Sequence, residues 1–368
     1  MLLQTLRVDD FRNLARQRLE LAPGVNLFIG DNGQGKTNLL EAIHVLASLR
    51  SFRPASNRDL VRRGAERAEL AAGVCAGAAP IQLKLVLAPA GRRLWVGRRS
   101  VSGVSEFLGQ LSAVAFTPDD LSMVKGAPAL RRRFLDRAAF LFRPAHLEAV
   151  RRFGSALRAR NRLLSEEGDP DQAQLEAFGQ ALAEWGGRVA AARRELVGEL
   201  AEPVARITAD LSGGALAVEL AYRPGWEALA GREAESLLAA LQRSWARDRR
   251  RGATTVGPQL DDFELRFDGA SARRFGSQGQ QRACAVALLL AVVERVVAAG
   301  GEQPVLLLDD VSSELDAGVR RRLFARVADL GGQVLVTTTD AGLREDLAPA
   351  AAGLWRVCAG RIEREPTA

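Results

Sequence analysis

The sequence predicts an α/β fold: a mixed β-sheet lobe with a parallel core, divided along the chain by a mostly helical insertion lobe. Three observations lead there. The apolar run Val25 to Ile29 is followed at once by Gly30-Asp31-Asn32-Gly33-Gln34-Gly35-Lys36-Thr37-Asn38 and then by the helical pattern Leu39, Leu40, Ile43, Leu46, which is a phosphate-binding loop in its strand-loop-helix setting. From Pro128 to Arg251 apolar residues recur three and four apart, the period of helices. Beyond Gly257-Pro258 strand-helix alternation returns, with aliphatic runs at Val305–Leu308 and Val334–Thr337 that suit buried parallel strands. Residues 1–125 and 253–368 are therefore expected to close into one nucleotide-binding lobe around an insertion of residues 126–252.

Element by element, strands are expected at Leu2–Val8, Leu19–Leu21 and Val25–Ile29, and then at Ile81–Leu87 and Arg93–Val96 around a Pro-Ala-Gly turn. In the insertion, helices should run through Phe134–Phe142, Leu147–Leu164 and Leu175–Leu211, followed by a strand at Leu216–Tyr222, the turn Pro224-Gly225 and a helix at Leu237–Trp245. Ala283–Val297 reads as an apolar helix, and the short charged tail Gly360–Ala368 as a frayed end. No internal repeat or sustained heptad pattern is present, so no long coiled coil is expected.

At 368 residues, 47% hydrophobic and 26% charged, the chain has the composition of an ordinary globular protein with room for two domains. The most apolar window, Val286 to Val297, is interrupted by Glu294 and Arg295, and no secretory pattern precedes Asp9 and Asp10. A cytoplasmic protein with no membrane partner is expected. Cys75, Cys284 and Cys358 lack metal-ligand spacing and suit reduced thiols acting as small hydrophobes. A net charge of +7 points to an anionic partner, duplex DNA being the usual one for such an ATPase.

The chemistry sits in three segments. In the first, Gly30, Gly33 and Gly35 let backbone N–H groups from Asp31 to Asn38 curl around the triphosphate of ATP. Lys36 reaches its β/γ oxygens, and the Thr37 hydroxyl holds Mg²⁺. In the second, the strand Val305–Leu308 ends in two carboxylates, of which Asp309 would hold the Mg²⁺ through water and Asp310 would face the attacking water. Asp310 and Lys36 are thus the expected catalytic pair. The third, Ser277-Gln278-Gly279-Gln280-Gln281, opens the apolar helix; Ser277, Gly279 and Gln280 at a helix start make a second anion site for a γ-phosphate. With the Ser277 segment lying between the loop and the carboxylates along the chain, the three define an ABC-type P-loop ATPase head. Ser277 stands 241 positions beyond Lys36, so a second molecule would supply it, and ATP would hold a head-to-tail homodimer together. A transporter subunit would need a Gln near Phe116-Thr117-Pro118-Asp119-Asp120 and a His after Thr337-Thr338-Thr339-Asp340, and both are missing. His44 and His146, the only histidines, are expected to be packing or surface residues. A metabolic P-loop kinase would leave Ser277 to Gln281 unexplained.

At this point the chain resembles the RecF family of bacterial recombination mediators, whose ATPase heads are similar to those of SMC proteins. The likeness runs nearly end to end. It takes in Phe11-Arg12-Asn13-Leu14, the phosphate loop with Leu39-Leu40-Glu41-Ala42, and Ser51-Phe52-Arg53. It continues through Arg132-Arg133-Phe134-Leu135-Asp136, Arg160-Asn161-Arg162-Leu163-Leu164, Gly257-Pro258, Ser277 to Arg282, and Asp309 to Asp316. The resemblance implies DNA at single-strand/double-strand junctions as substrate, double-stranded and gapped DNA together, with RecR and RecO as partners and RecA loading as the outcome. It also implies that Arg12 and Asn13 touch nucleotide phosphates. One departure stands out: the family usually has His and a basic residue after Gly-Pro, where this chain has Gln259 and Leu260.

Arginine clusters in the insertion are the expected DNA contacts, namely Arg131, Arg132 and Arg133, and then Arg151, Arg158 and Arg162, whose spacing puts them on one helix face. No aromatic residues interleave them, so backbone contact fits better than base stacking.

Overall fold

The structure, a computed structural model, describes residues 1–53, 55–76, 79–166, 171–310, 315–340, 343 and 351–365. In chain order the first strands are β1 (Leu2–Asp9), β2 (Gln17–Glu20) and β3 (Val25–Ile29), followed by helices α1 (Lys36–Ser48) and α2 (Asn57–Leu60). Then come β4 (Ala68–Ala76), β5 (Ala79–Ala88), β6 (Gly91–Val96), β7 (Arg99–Val101), α3 (Val104–Phe107), β8 (Ala113–Phe116) and α4 (Pro118–Leu121). A helical stretch follows, with α5 (Pro128–Phe142), α6 (Ala145–Ser165) and α7 (Gln172–Ser212), and then β9 (Val218–Arg223), α8 (Glu233–Arg243) and α9 (Trp245–Arg251). The chain ends with β10 (Asp262–Phe267), β11 (Ala270–Ser271), α10 (Ala272–Phe275), α11 (Gln278–Ala298), β12 (Val305–Asp309), α12 (Ala317–Asp329), β13 (Val334–Thr338), β14 (Ala351–Cys358) and β15 (Arg361–Arg364).

Two compact units form: residues 1–122 with 210–213 and 278–368, and residues 123–209 with 214–277. The first holds two six-stranded sheets. One is antiparallel, in the order β2-β1-β4-β5-β6-β7. Its strand β1 buries Leu3, Leu6 and Val8, a spacing of three and then two that a register shift between Leu3 and Thr5 accommodates. The other runs β15-β14-β3-β13-β12-β8, parallel except for the β14/β15 hairpin. All five residues of β12 are buried, as are all five of β13, which is why both strands open on aliphatic runs rather than alternating.

β4 was hidden in an Ala-rich segment of low strand propensity, and it forms because β1 and β5 pair with it on both sides. The tail is a correction. Residues 361–364 are not frayed but form β15, with Ile362 buried and Arg361 and Glu363 facing out.

In the second unit α6, α7 and α8 pack around Phe153, Leu182, Val189, Trp226, Leu237 and Leu241. At Gly187 of α7 an added Cβ would lie 2.7 Å from the Ala234 backbone nitrogen, so α7 and α8 touch where only a glycine fits. This unit extends to residue 277, past the expected boundary at 252, because β10 pairs along its whole length with β9 in a three-stranded sheet. Among the described residues no helix is long and apolar enough to cross a membrane.

Candidate functional site

The loop after β3 is built from glycines that take conformations other residues avoid: Gly33 at φ 79° and Gly35 at φ 115°, the latter capping α1. Lys36, 6% exposed, donates from Nζ to the Gly30 carbonyl at 2.6 Å and the Asp31 carbonyl at 2.9 Å. Burial pushes its pKa down, against the opposing pull of Asp310, Asp309 and Asp31. Although β13 lies between β3 and β12, the end of β12 stands beside the start of α1. There the Thr37 hydroxyl donates to Asp309 Oδ1 at 2.9 Å, and the Thr337 hydroxyl donates to the same oxygen at 2.9 Å. Burial raises the Asp309 pKa even against those two bonds. Asp310 follows at φ 48°, its N–H donating to the Thr337 carbonyl and hydroxyl at 3.1 and 3.0 Å. These two bonds to Thr337 hold Asp310 in the left-handed region, which Asp visits more readily than most residues.

A second layer was not apparent from the sequence. Glu41 of α1, fully buried, accepts two hydrogen bonds from Arg12, at 2.9 and 2.7 Å, one from Ser51 at 2.5 Å, and one from Arg53. Burial alone would raise its pKa, but the Arg12, Ser51 and Arg53 donors overcome that and hold it low. Arg53 also donates to Asn38 Oδ1 at 2.6 Å, Asn38 to Asn13 Oδ1 at 2.7 Å, and Asn13 to the Gly33 carbonyl at 3.2 Å. Asn13 thus reaches the loop by a hydrogen-bonded relay from α1, while Arg12 is held by Glu41 and the Asp59 carbonyl. A cleft of about 890 Å³ opens beside them, lined by Arg12, Asn13, Asn38, Arg53, Arg58 and Arg62 among others.

Elsewhere the expected residues separate. Asp31, Asn32 and Gly33 are exposed at the loop tip, and the Gln34 side chain turns to the Ala359 N–H. Ser277, Gly279 and Gln280 are exposed around the start of α11. Arg133, Arg151, Arg158 and Arg162 are exposed, although Arg151 is paired with Glu148, whose carboxyl Arg151 and Arg152 pull down to about 2. Arg132 is partly buried and donates to the Asp261 carbonyl at 2.8 Å. Arg131 is a correction: 3% exposed, it grips Asp262 with two bonds and donates to the carbonyls of Met123, Val124 and Gly126, so it braces the second unit from inside.

The adjacent Asp261 is fully buried between Tyr222, Arg193 and the Gly225 N–H, while Gln259 caps the Thr254 and Val256 carbonyls and Leu260 is half exposed. Both histidines are buried, His146 bonded to Asp136 at 2.9 Å and His44 against the Phe52 ring. Asp120 closes a capping box on Thr117. Residues 311–314, and with them Glu314, lie outside the described residues.

Residues 2–86 match the RecF/RecN/SMC N terminal domain. The chain is 43% identical to the DNA replication and repair protein RecF of Anaeromyxobacter sp. (strain Fw109-5), with 98% of this chain and 99% of that protein covered. It is 40% identical to the protein of the same name from Myxococcus xanthus (strain DK1622), covering 93% and 92%. Among solved structures, that of the recombination mediator protein RecF-ATP in the RecFOR pathway superposes with a TM-score of 0.88 at 30% identity, covering 99% of this chain and 97% of that one. An Smc head domain derived from Pyrococcus furiosus, 17% identical with a TM-score of 0.57, shares the fold.

Proposed function

This chain belongs to the RecF family, and from that premise we propose that it is an ATP-dependent DNA-binding protein of recombinational repair. The observation that carries the proposal is the meeting of Lys36, Thr37 and Asp309 at a glycine loop whose backbone is held open by Asn13. The ATP-containing relative supports the choice of nucleotide. In this reading Lys36 exchanges the loop carbonyls for β/γ oxygens, and Arg12 and Asn13 approach the phosphates. Thr37 and Asp309 offer two hard oxygens 2.9 Å apart, one of them a buried carboxylate, a donor set that suits Mg²⁺. Bound there, the ion would offset charge on the β/γ oxygens. Asp310, fixed by Thr337, orients the attacking water.

A second copy then contributes Ser277, Gly279 and Gln280 to the γ-phosphate, so that ATP closes a homodimer and its hydrolysis opens it. Arg133, Arg151, Arg158 and Arg162, with Arg132 behind them, meet DNA phosphates; base stacking is not required. RecO and RecR complete the partner set, and RecA loading at gapped DNA is the outcome.

Steady-state ATP turnover with and without duplex DNA tests this reading. DNA should raise turnover in the parent protein and leave Lys36→Met inactive. Turnover indifferent to DNA would remove the coupling.

A further inference from the structure

The tip of the C-terminal β14/β15 hairpin is fastened to the phosphate loop. Its two central residues, Ala359 at φ 47° and Gly360 at φ 76°, form the tight turn that joins the paired residues Cys358 and Arg361. Both of their N–H groups are spent on one residue of the loop. Ala359 donates to Gln34 Oε1 at 2.5 Å, and Gly360 donates to the Gln34 carbonyl at 2.9 Å.

In a trans peptide the C=O and the following N–H point in opposite directions. Holding the Gln34 carbonyl outward therefore turns the Gly35 N–H inward, toward the concavity where a phosphate would sit. Asn13 does the same for the preceding peptide by bonding the Gly33 carbonyl at 3.2 Å. The fit is close on both sides. An added Cβ at Gly360 would lie 2.3 Å from the Asn13 carbonyl oxygen, and one at Gly30 would lie 2.2 Å from that of Val357.

The hairpin tip is itself held by Gln17 of β2, whose Nε2 donates to the Gly360 carbonyl at 2.8 Å and whose Oε1 accepts from the Ile362 N–H at 3.2 Å. Gln17 is not among the residues that line the cleft. Its amide spans the turn, so both ends must be present for the turn to keep its angle. An alanine in the left-handed region costs about 1 kcal/mol or more, a strain consistent with a turn held by its neighbours rather than by its own preference.

We propose that Gln17 is a positioning residue for nucleotide binding, acting through the Ala359-Gly360 turn to preset the peptide planes of the phosphate loop. The inference rests on the reading that this loop takes the triphosphate. Gln17→Ala should weaken Mg-ATP binding roughly tenfold, the scale of two neutral hydrogen bonds, and raise KM alike while kcat at saturating ATP changes less than about twofold. Gln17→Glu keeps the acceptor for Ile362 but faces the Gly360 carbonyl with an oxygen, and should weaken binding at least as much.

Calorimetric titration with Mg-ATP, alongside the thermal midpoint of each variant and with Lys36→Met as reference, decides it. Parental affinity in both Gln17 variants, with binding lost in Lys36→Met, would overturn the positioning role of Gln17 while leaving the loop assignment intact, even if the midpoint fell. Parental affinity in Lys36→Met would overturn the loop assignment and that role with it.

Discussion

Glu41 gathers four side-chain hydrogen bonds onto one buried carboxylate beside the loop. Its carboxylate is fully buried and neutralised by Arg12 and Arg53, which are themselves partly solvated, so removing its charge costs less than the roughly 3 kcal/mol of a fully buried pair. Glu41→Gln should destabilise the protein by about 1–3 kcal/mol at pH 7 in urea denaturation. The folded pKa lies below the ordinary 4.5, so the carboxylate's contribution is fully present above that value and is lost as pH falls through the folded one. The stability gap between parent and Glu41→Gln should therefore narrow below pH 4.5. Asp309 and Asp310 separate by another route. Asp310→Asn should retain Mg-ATP and lose turnover by about a hundredfold or more in single-turnover assays, whereas Asp309→Asn should weaken the metal site itself. Parental turnover in Asp310→Asn would place the base elsewhere. The glycine loop and its meeting with Asp309 were legible because each motif is contiguous in the chain. Glu41 was not, since it sits inside an apolar helix and its arginines lie 29 positions before and 12 after it.

At the scale of elements, the Arg131-Arg132-Arg133 triplet shows what charge counting misses. Successive helical positions point about 100° apart, and α5 accordingly buries Arg131, half-buries Arg132 and exposes Arg133. On α6 the same geometry keeps Arg151, Arg158 and Arg162 exposed while Arg160 turns in to Asp248. Changing the three exposed arginines to Ala should weaken binding to any DNA sequence equally and flatten the salt dependence by up to about 0.9 log units per lost contact. Titrations at several salt concentrations measure that slope, and an unchanged slope would make the face merely solvated. The parallel core was legible from its aliphatic runs, as were the long helices of the insertion. β15 was not, because its single inward residue, Ile362, is flanked by charges and its Ala-Gly turn lacks the Asn-Gly signature of hairpins.

For the whole molecule, the central claim is that ATP closes two copies on DNA, with the loop of one copy facing Ser277 of the other. The basis is chain order, family membership, and the exposure of both Asp31–Gly33 and Ser277–Gln280. A bulky cation at a helix start cannot share its anion site, so Ser277→Arg should bind ATP normally and remain a monomer. The most direct test is sedimentation velocity of the parent and Ser277→Arg proteins with ADP, with ATP, and with ATP plus gapped duplex. The parent should be monomeric with ADP, dimeric with ATP and most persistently dimeric with gapped DNA, and Ser277→Arg should stay monomeric throughout. A parent that remains monomeric on gapped DNA while turning over ATP, or a Ser277→Arg protein that dimerises like the parent, would contradict the account.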